Sequence, residues 1–435
     1  MEKFIFKEGN RQGLLDYICK VVETKAFKRM KTLLQINVTA NWGAHGKIAE
    51  AIGKRAMAHG WRSVIAFGRT ANISENELIR IGSDFCNKEH WLESRLFDNH
   101  GLSSRFATKT FIKKIEEIKP DIIHLHNIHG YYLNYKLLFE YLASVNIPIV
   151  WTLHDCWLFT GHCAYFEFAG CERWREGCYA PCPCLSDYPK SALMDQSKKN
   201  WILKNKLFNS IDQMTLVPVS AWLGNLVKKS FLKKYPVDVI HNGIDLEAFR
   251  PSDDKLVRQK YGIGNQSYVL GVASDWAKRK GLSDFYSLTS KLNNRFKIVL
   301  VGLNKQQLIE AKVNGIIGIP RTENMGELTA LYSGAEVFLN LTYEDNYPTT
   351  NLEAMACGTP VLTYMSGGSP EAVSDETGWI LSKGDIDGVA SVVGTFGGKT
   401  NAVRKVCRLR AESCFDKNVC FENYLHLYED ILNRK

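Results

Sequence analysis

The sequence predicts an α/β protein made of two successive, doubly wound parallel sheets, each with its own crevice. Three observations predict it. Short apolar runs bounded by turn residues, the pattern of strands covered on both faces, alternate with amphipathic helical stretches. The alternation closes with MTLVPVS, near residue 215, and then starts afresh. Finally, the chain has 435 residues with 45% hydrophobic and 23% charged content, an ordinary globular composition with enough length for two cores.

Taken in order, residues 1–29 are mixed and basic and read as an N-terminal extension. Met30 then opens KTLLQINV, the first strand. TANWGAHG is a glycine-bearing loop, KIAEAIGKRAMAHG a helix stopped by Gly60, and SVIAFG the next strand, which together make a β-loop-α-β unit. The helix FIKKIEEIKP, the strand in DIIHLHNIHG, a helix around Tyr135 to Ser144 and the strand in IPIVWTLHD continue this first domain, assigned to 30–215. A cysteine-rich insert interrupts it at about 156–190. The strands YVLGVAS, FKIVLVG, VFLNLT and PVLTY, with helices such as MGELTALYSGA between them, form a second domain over 216–405. Residues 406–435 end in the amphipathic FENYLHLYEDILNRK, expected to be a helix that packs back on the first domain. Neither an internal repeat nor a low-complexity tract is present.

The formal net charge of +9 favours anionic partners, and the absence of zinc-finger, RNA-recognition and helix-turn-helix signatures argues against nucleic acid. No run approaches the roughly 18 apolar residues of a membrane span, and the N-terminus lacks signal-peptide character, so a cytosolic protein is expected. The segment NLVKKSFLKKYP mixes lysines with Leu226, Val227, Phe231 and Leu232. It is a candidate contact with the inner face of an anionic membrane; the alternative is a solvated helix face.

The stretch richest in chemistry is YEDNYPTTNLEAMACGTPVLTYMSGGSPE, where a strand runs into a polar loop and then a helix beginning near Thr349. In open α/β sheets ligands sit beyond the carboxyl ends of strands, and a helix start offers unpaired N–H groups to phosphate. The amides of Thr349, Thr350 and Asn351 are candidates for that role. Asp345 and Glu353 flank the turn, and a carboxylate accepts hydrogen bonds from paired hydroxyls such as those of a sugar or a ribose. The plainer alternative is a solvated loop aspartate and an ordinary first-turn glutamate. The SGGSPE loop lets a ligand approach the backbone, or is simply a turn.

These motifs, together with IHNGIDLEAFRP and the pair Lys280-Gly281 after the first strand of the second domain, resemble retaining glycosyltransferase family 4, which implies the GT-B fold, two Rossmann-like doubly wound domains facing across a cleft. The resemblance runs from about Met30 to the last helix. It implies a hexosyltransferase-type enzyme that moves a sugar from a UDP- or GDP-sugar donor to a glycan or lipid-linked acceptor, as in bacterial surface polysaccharide synthesis. Anomeric configuration is retained and no cofactor is needed for catalysis. Glu353 matches the family's ribose-side acid, and Asp345 stands where the family has a glutamate near the donor sugar. Lys280 matches the phosphate-binding lysine. The arginine that the family carries five residues earlier is replaced by Asp275, and Arg279 is the candidate substitute, although in an extended segment it would point away from Lys280. Gly43 and Gly46, flanking Ala44 and His45, match the glycine loop near the diphosphate. His126 matches a histidine beside the donor sugar, while His124 is expected on the other side of the strand. His154 and Asp155, at the next strand end, are candidates on the acceptor side. The departures at Asp275 and Asp345 keep open a weakened protein that binds a nucleotide sugar or a partner without turnover. A nucleotide-sugar epimerase on the same fold is a further alternative.

Six of the twelve cysteines fall between Cys156 and Cys184. Clustering in a cytosolic chain suggests metal more than disulfides, and Cys163, Cys171, Cys178 and Cys182 are the candidate ligands of a structural zinc, with Cys184 and His162 as spares. The alternative is reduced cysteines packed with Trp174 in a lid over the acceptor side.

Overall fold

The computed structural model describes residues 29–292 and 295–434; apart from Arg29, the expected N-terminal extension lies outside the described residues. The chain forms two six-stranded sheets. The first comprises β1 (Thr32–Asn37), β2 (Arg62–Phe67), β3 (Glu77–Arg80), β4 (Ile122–Leu125), β5 (Ile149–Leu153) and β6 (Met214–Pro218), in the spatial order β3-β2-β1-β4-β5-β6. The second comprises β7 (Tyr268–Val272), β8 (Lys297–Val301), β9 (Ile317–Ile319), β10 (Val337–Asn340), β11 (Val361–Tyr364) and β12 (Gly378–Leu381), in the order β12-β11-β10-β7-β8-β9. Pairing within both sheets is parallel throughout.

Each sheet therefore repeats the same winding, and each reverses its strand order once, between β1 and β4 and between β7 and β10. A reversal leaves a crevice beyond the strand ends, because the connections on its two sides leave in opposite directions. β1, β4 and β5 are buried along their whole length, as strands covered on both faces must be, which explains why they read as unbroken apolar runs.

The last helix, Lys417–Asn433, lies against the helix Gly43–Ala58, and Phe421, Tyr424 and Tyr428 join Ile48, Ile52 and Trp61 in one cluster under the first sheet. Tyr428 O–H reaches His124 Nδ1 at 2.6 Å, and Thr152 Oγ1 donates to the Tyr424 hydroxyl oxygen at 3.0 Å. His124 corrects one expectation. It does not face away from His126: their ring centroids are 4.1 Å apart, because residues two apart in a strand share a face.

A second correction concerns NLVKKSFLKKYP. Val227 and Leu232 are fully buried, Leu226 packs against the core, and Phe231 stacks edge-on against Trp201 at 5.3 Å. The segment's apolar side packs on the core, and its lysines are exposed. Among the described residues no helix is long and apolar enough to cross a membrane.

Candidate functional site

Both crevices open on one cleft, and the residues singled out above gather at its two walls. In the first domain the chain leaves β1 through Thr39 and Trp42 into the helix Gly43–Ala58. That helix has no side-chain cap and no acid in its first turn, so its leading N–H groups face the cleft unneutralised. Gly46 is there for closeness: a Cβ on it would lie 2.6 Å from Thr39 Oγ1. In the second domain the helix Thr349–Ala356, after β10, likewise has neither a side-chain cap nor a first-turn acid. The two helix starts face each other closely enough for Lys47 to act on the carboxylate of Glu353.

Lys280 and Arg279 leave the end of β7 in a short 3-10 turn, Lys278–Lys280, rather than an extended segment. The turn brings both side chains to the loop after β10, contrary to the outward direction expected for Arg279. Lys280 Nζ pairs with Asp345 Oδ2, and Arg279 donates to Glu344 O at 2.8 Å while its guanidinium lies 3.7 Å over the ring of Tyr165. Burial alone would raise the Asp345 carboxyl, but the charges of Lys280 and Arg279 outweigh it and hold its pKa below the usual range. Gly367 keeps this loop in place: its φ is +55°, and a Cβ there would run into Asp345 O at 1.8 Å.

Glu353 accepts from Tyr332 O–H at 2.9 Å and Thr349 Oγ1 at 3.2 Å, and burial raises its carboxyl. Thr349 and Thr350 are half-buried at the helix start. Asn351 is turned inward instead. Its amide N–H donates to Pro348 O at 3.2 Å, and its side chain accepts from Asn340 at 2.8 Å and donates to Ser369 Oγ at 3.0 Å.

The histidines form a relay whose tautomers can be assigned. Gln35 gives its amide nitrogen to Ala49 O at 2.8 Å, so its oxygen accepts from His126 Nε2–H at 3.0 Å. His126 Nδ1 must then accept, at 3.2 Å, from His154 Nε2–H. Burial pushes both rings well below the usual histidine pKa, which agrees with two neutral imidazoles. His126 is buried with both nitrogens engaged. His154, in front of it, keeps Nδ1 for the cavity it lines. That cavity holds about 370 Å³ and is also bordered by Trp42, His45, Arg69, His129, Asp155 and Tyr188. Asp155 accepts from His129 Nε2 at 2.9 Å and from Trp157 N at 2.9 Å, and the His129 charge keeps its carboxyl low against the opposing effect of burial.

The cysteine-rich insert closes one side of the cavity with Tyr165 and Tyr188. It also ties the domains together: buried Glu344 accepts from Phe166 N at 2.8 Å and Phe168 N at 3.0 Å, and Lys383 pairs with Glu167 at 2.6 Å. A further tie runs from Asn346 Nδ2 to His154 O at 2.7 Å. Cys163, Cys171, Cys178 and Cys182 are free thiols, as is Cys184. Among the described residues no group of three or more His, Cys, Asp or Glu is placed to hold a metal ion. Cys178 Sγ accepts from Gly161 N at 3.2 Å, and Trp174 is packed between Phe159 and Phe166 at 5.0 and 5.2 Å.

Tyr165, Glu344, Arg69 and His129 escaped the sequence reading, which had named only Asp155 of the His129–Asp155 pair.

Residues 253–395 match the family described as Glycosyl transferases group 1, and residues 48–248 match Glycosyltransferase Family 4. An Escherichia coli (strain K12) protein provisionally named as a colanic acid biosynthesis glycosyl transferase, WcaC, is 25% identical over 81% of this chain and 88% of its own length. Among solved structures, a sucrose-phosphate synthase from Thermosynechococcus elongatus superposes with a TM-score of 0.68 at 15% identity, covering 93% of this chain and 100% of its own. The Anabaena protein Alr3699/HepE in complex with UDP gives 0.63 at 16% identity, covering 92% and 100%. These neighbours carry the same two-sheet architecture.

Proposed function

Because the chain belongs to the group 1, family 4 glycosyltransferases and has their GT-B fold, we propose that it transfers a hexose from a nucleoside diphosphate sugar, with retention at the anomeric carbon, to a glycan or lipid-linked acceptor in surface polysaccharide synthesis. The observation that carries this reading is the convergence on one cleft of Lys280, Arg279 and two uncapped helix starts, a set suited to a diphosphate. The Anabaena neighbour is a complex with UDP and the Escherichia coli relative is named for colanic acid synthesis, which favours a nucleotide-sugar donor and a polysaccharide product.

In this scheme the bond between the anomeric carbon and the diphosphate oxygen breaks while the acceptor oxygen attacks from the same face, and the acceptor proton passes to the departing phosphate. Lys280 and the helix amides stabilise the charge that builds on the leaving group, the largest contribution expected of such a site. No metal takes part. Lys280 exchanges Asp345 for the diphosphate when donor binds, and Asp345 is released toward the sugar hydroxyls. Glu353 takes the ribose, and His154 Nδ1 accepts from a donor-sugar hydroxyl with His126 behind it as its anchor. The cavity beside Trp42, Arg69 and Tyr188 receives the acceptor.

A thermal-shift panel of UDP-, GDP- and ADP-sugars tests the donor assignment. One nucleotide series should stabilise the protein, and Lys280→Ala and Glu353→Ala should each lose that shift. Stabilisation that both variants keep would place the nucleotide elsewhere.

A further inference from the structure

The cavity in the first domain carries a charge that nothing in the protein answers. Asp155, on its wall, is engaged internally: one carboxylate oxygen accepts from His129 Nε2 and the other from Trp157 N, each at 2.9 Å. Burial pushes His45 down to about 4 and His154 well below the usual histidine range, so both rings are neutral near neutral pH. Arg69 is left. Among the described residues its guanidinium has no hydrogen-bond or ion-pair partner, although it lines the same cavity.

The backbone beneath that guanidinium is fixed. β2 ends at Phe67, and Gly68 carries the chain so close to Tyr132 that a Cβ would lie 2.0 Å from the ring. Gly68 O accepts from Asn87 Nδ2 at 2.8 Å, Arg69 N donates to Val38 O at 2.9 Å, and Thr70 O accepts from Ala40 N at 3.0 Å. Solubility needs no such anchoring, since a loose loop presents a charge to water equally well. An arginine held at its root and free at its tip is preorganised for a ligand that arrives from outside. Two aromatic side chains stand on the same wall. Trp42 is 51% and Tyr188 38% exposed, and the Tyr188 hydroxyl is held by His129 Nδ1 at 3.0 Å. Arg69 is near enough for its charge to act on Tyr188. Exposed rings beside one convergent charge suit a small ligand that is partly apolar and partly anionic.

We infer that the acceptor sugar is anionic, with its carboxylate or phosphate in the fork of Arg69 and the apolar C–H surface of its ring against Trp42 and Tyr188. The planar guanidinium matches either group with two parallel hydrogen bonds, whereas a neutral hydroxyl would leave the charge unanswered. The leaving diphosphate has its own cations, Lys280 and Arg279, on the second domain, so Arg69 is available to the acceptor. The inference rests on the transfer reading above and adds to it the chemical class of the acceptor.

Matched benzyl glycosides test it, in the gluco and galacto series: the neutral hexoside against the hexuronide, and against the hexoside 6-phosphate. Each is titrated into the full-length protein, with and without UDP, and followed by ligand-observed NMR. The anionic member should bind about tenfold to hundredfold more tightly, the yield of a charge-assisted pair. Stronger binding of the hexuronide identifies a uronic acid, and stronger binding of the 6-phosphate a phosphorylated sugar. Arg69→Met should abolish the preference, Arg69→Lys should keep part of it, and Arg69→Glu should turn it toward the 6-amino-6-deoxy hexoside. All three variants should melt with the wild type, because the guanidinium has no partner to lose. Wild type that binds the anionic probes no better than the neutral ones, or binds none of them, would overturn the inference, as would a preference that survives Arg69→Met. The donor-induced thermal shift separates this from the reading it rests on. Wild type without that shift but with an Arg69-dependent preference would refute transfer and leave the anionic site standing; a shift lost in Arg69→Met would move Arg69 to the diphosphate and overturn the inference.

Discussion

Lys280 and Asp345 hold each other, so one positive charge is kept in position by a carboxylate that a diphosphate can displace. Lys280→Ala should lower turnover by about 10²- to 10³-fold, the loss typical of removing one group that stabilises developing charge. Steady-state kinetics checks this. The paired histidines separate in the same way. His154→Ala should reduce turnover and cost less stability than the loss of His126, since it strands one buried acceptor, His126 Nδ1, beside a cavity that admits water. His126→Ala should cost about 1–3 kcal/mol in denaturant unfolding, because it strands the buried polar atoms of Gln35 and His154. The sequence placed both histidines at strand ends but ranked them the other way. A strand pattern says which residues share a face; it does not say which of two rings on neighbouring strands ends up in front.

At the scale of elements, the motif-bearing helix starts were legible because glycine, proline and threonine before an apolar helical pattern announce a loop turning into a helix. The joint between domains was not. Glu344 stands in the motif next to Asp345, yet its carboxylate serves the backbone of an insert some 176 residues away. Nothing local to EDNYP reveals a partner at that separation, and the insert itself reads as cysteine spacing rather than as a clasp. Glu344→Ala should leave two buried N–H groups unpaired and destabilise by about 2–4 kcal/mol, measurable by chemical denaturation. Glu344→Gln, which keeps one acceptor oxygen, should cost less.

Across the whole molecule, repeated winding gives two sheets with a crevice each, and that much followed from the alternation of strand and helix; that the crevices face each other came with the family resemblance. What the pattern could not supply is the density of neutral histidine in the first domain. Burial, with a smaller push from His129, lowers His45 to about 4, and burial lowers His90 to about 3. Their unfolded counterparts titrate near 6.5, so between that pH and the folded values only the unfolded chain takes up protons. The histidine contribution to stability should therefore be complete above pH 7 and fall steeply from about pH 6.5 toward 4, as read from denaturation midpoints across that range. The depressed pKa of Asp345 adds its loss only at still lower pH. The most direct test of sugar transfer is release of nucleoside diphosphate from the stabilising donor with and without lipid-linked and free glycan acceptors. Release that requires an acceptor and disappears in Lys280→Ala is the predicted result. A donor that stabilises the protein yet yields no nucleotide with any acceptor would contradict transfer and leave a binding protein on a transferase fold.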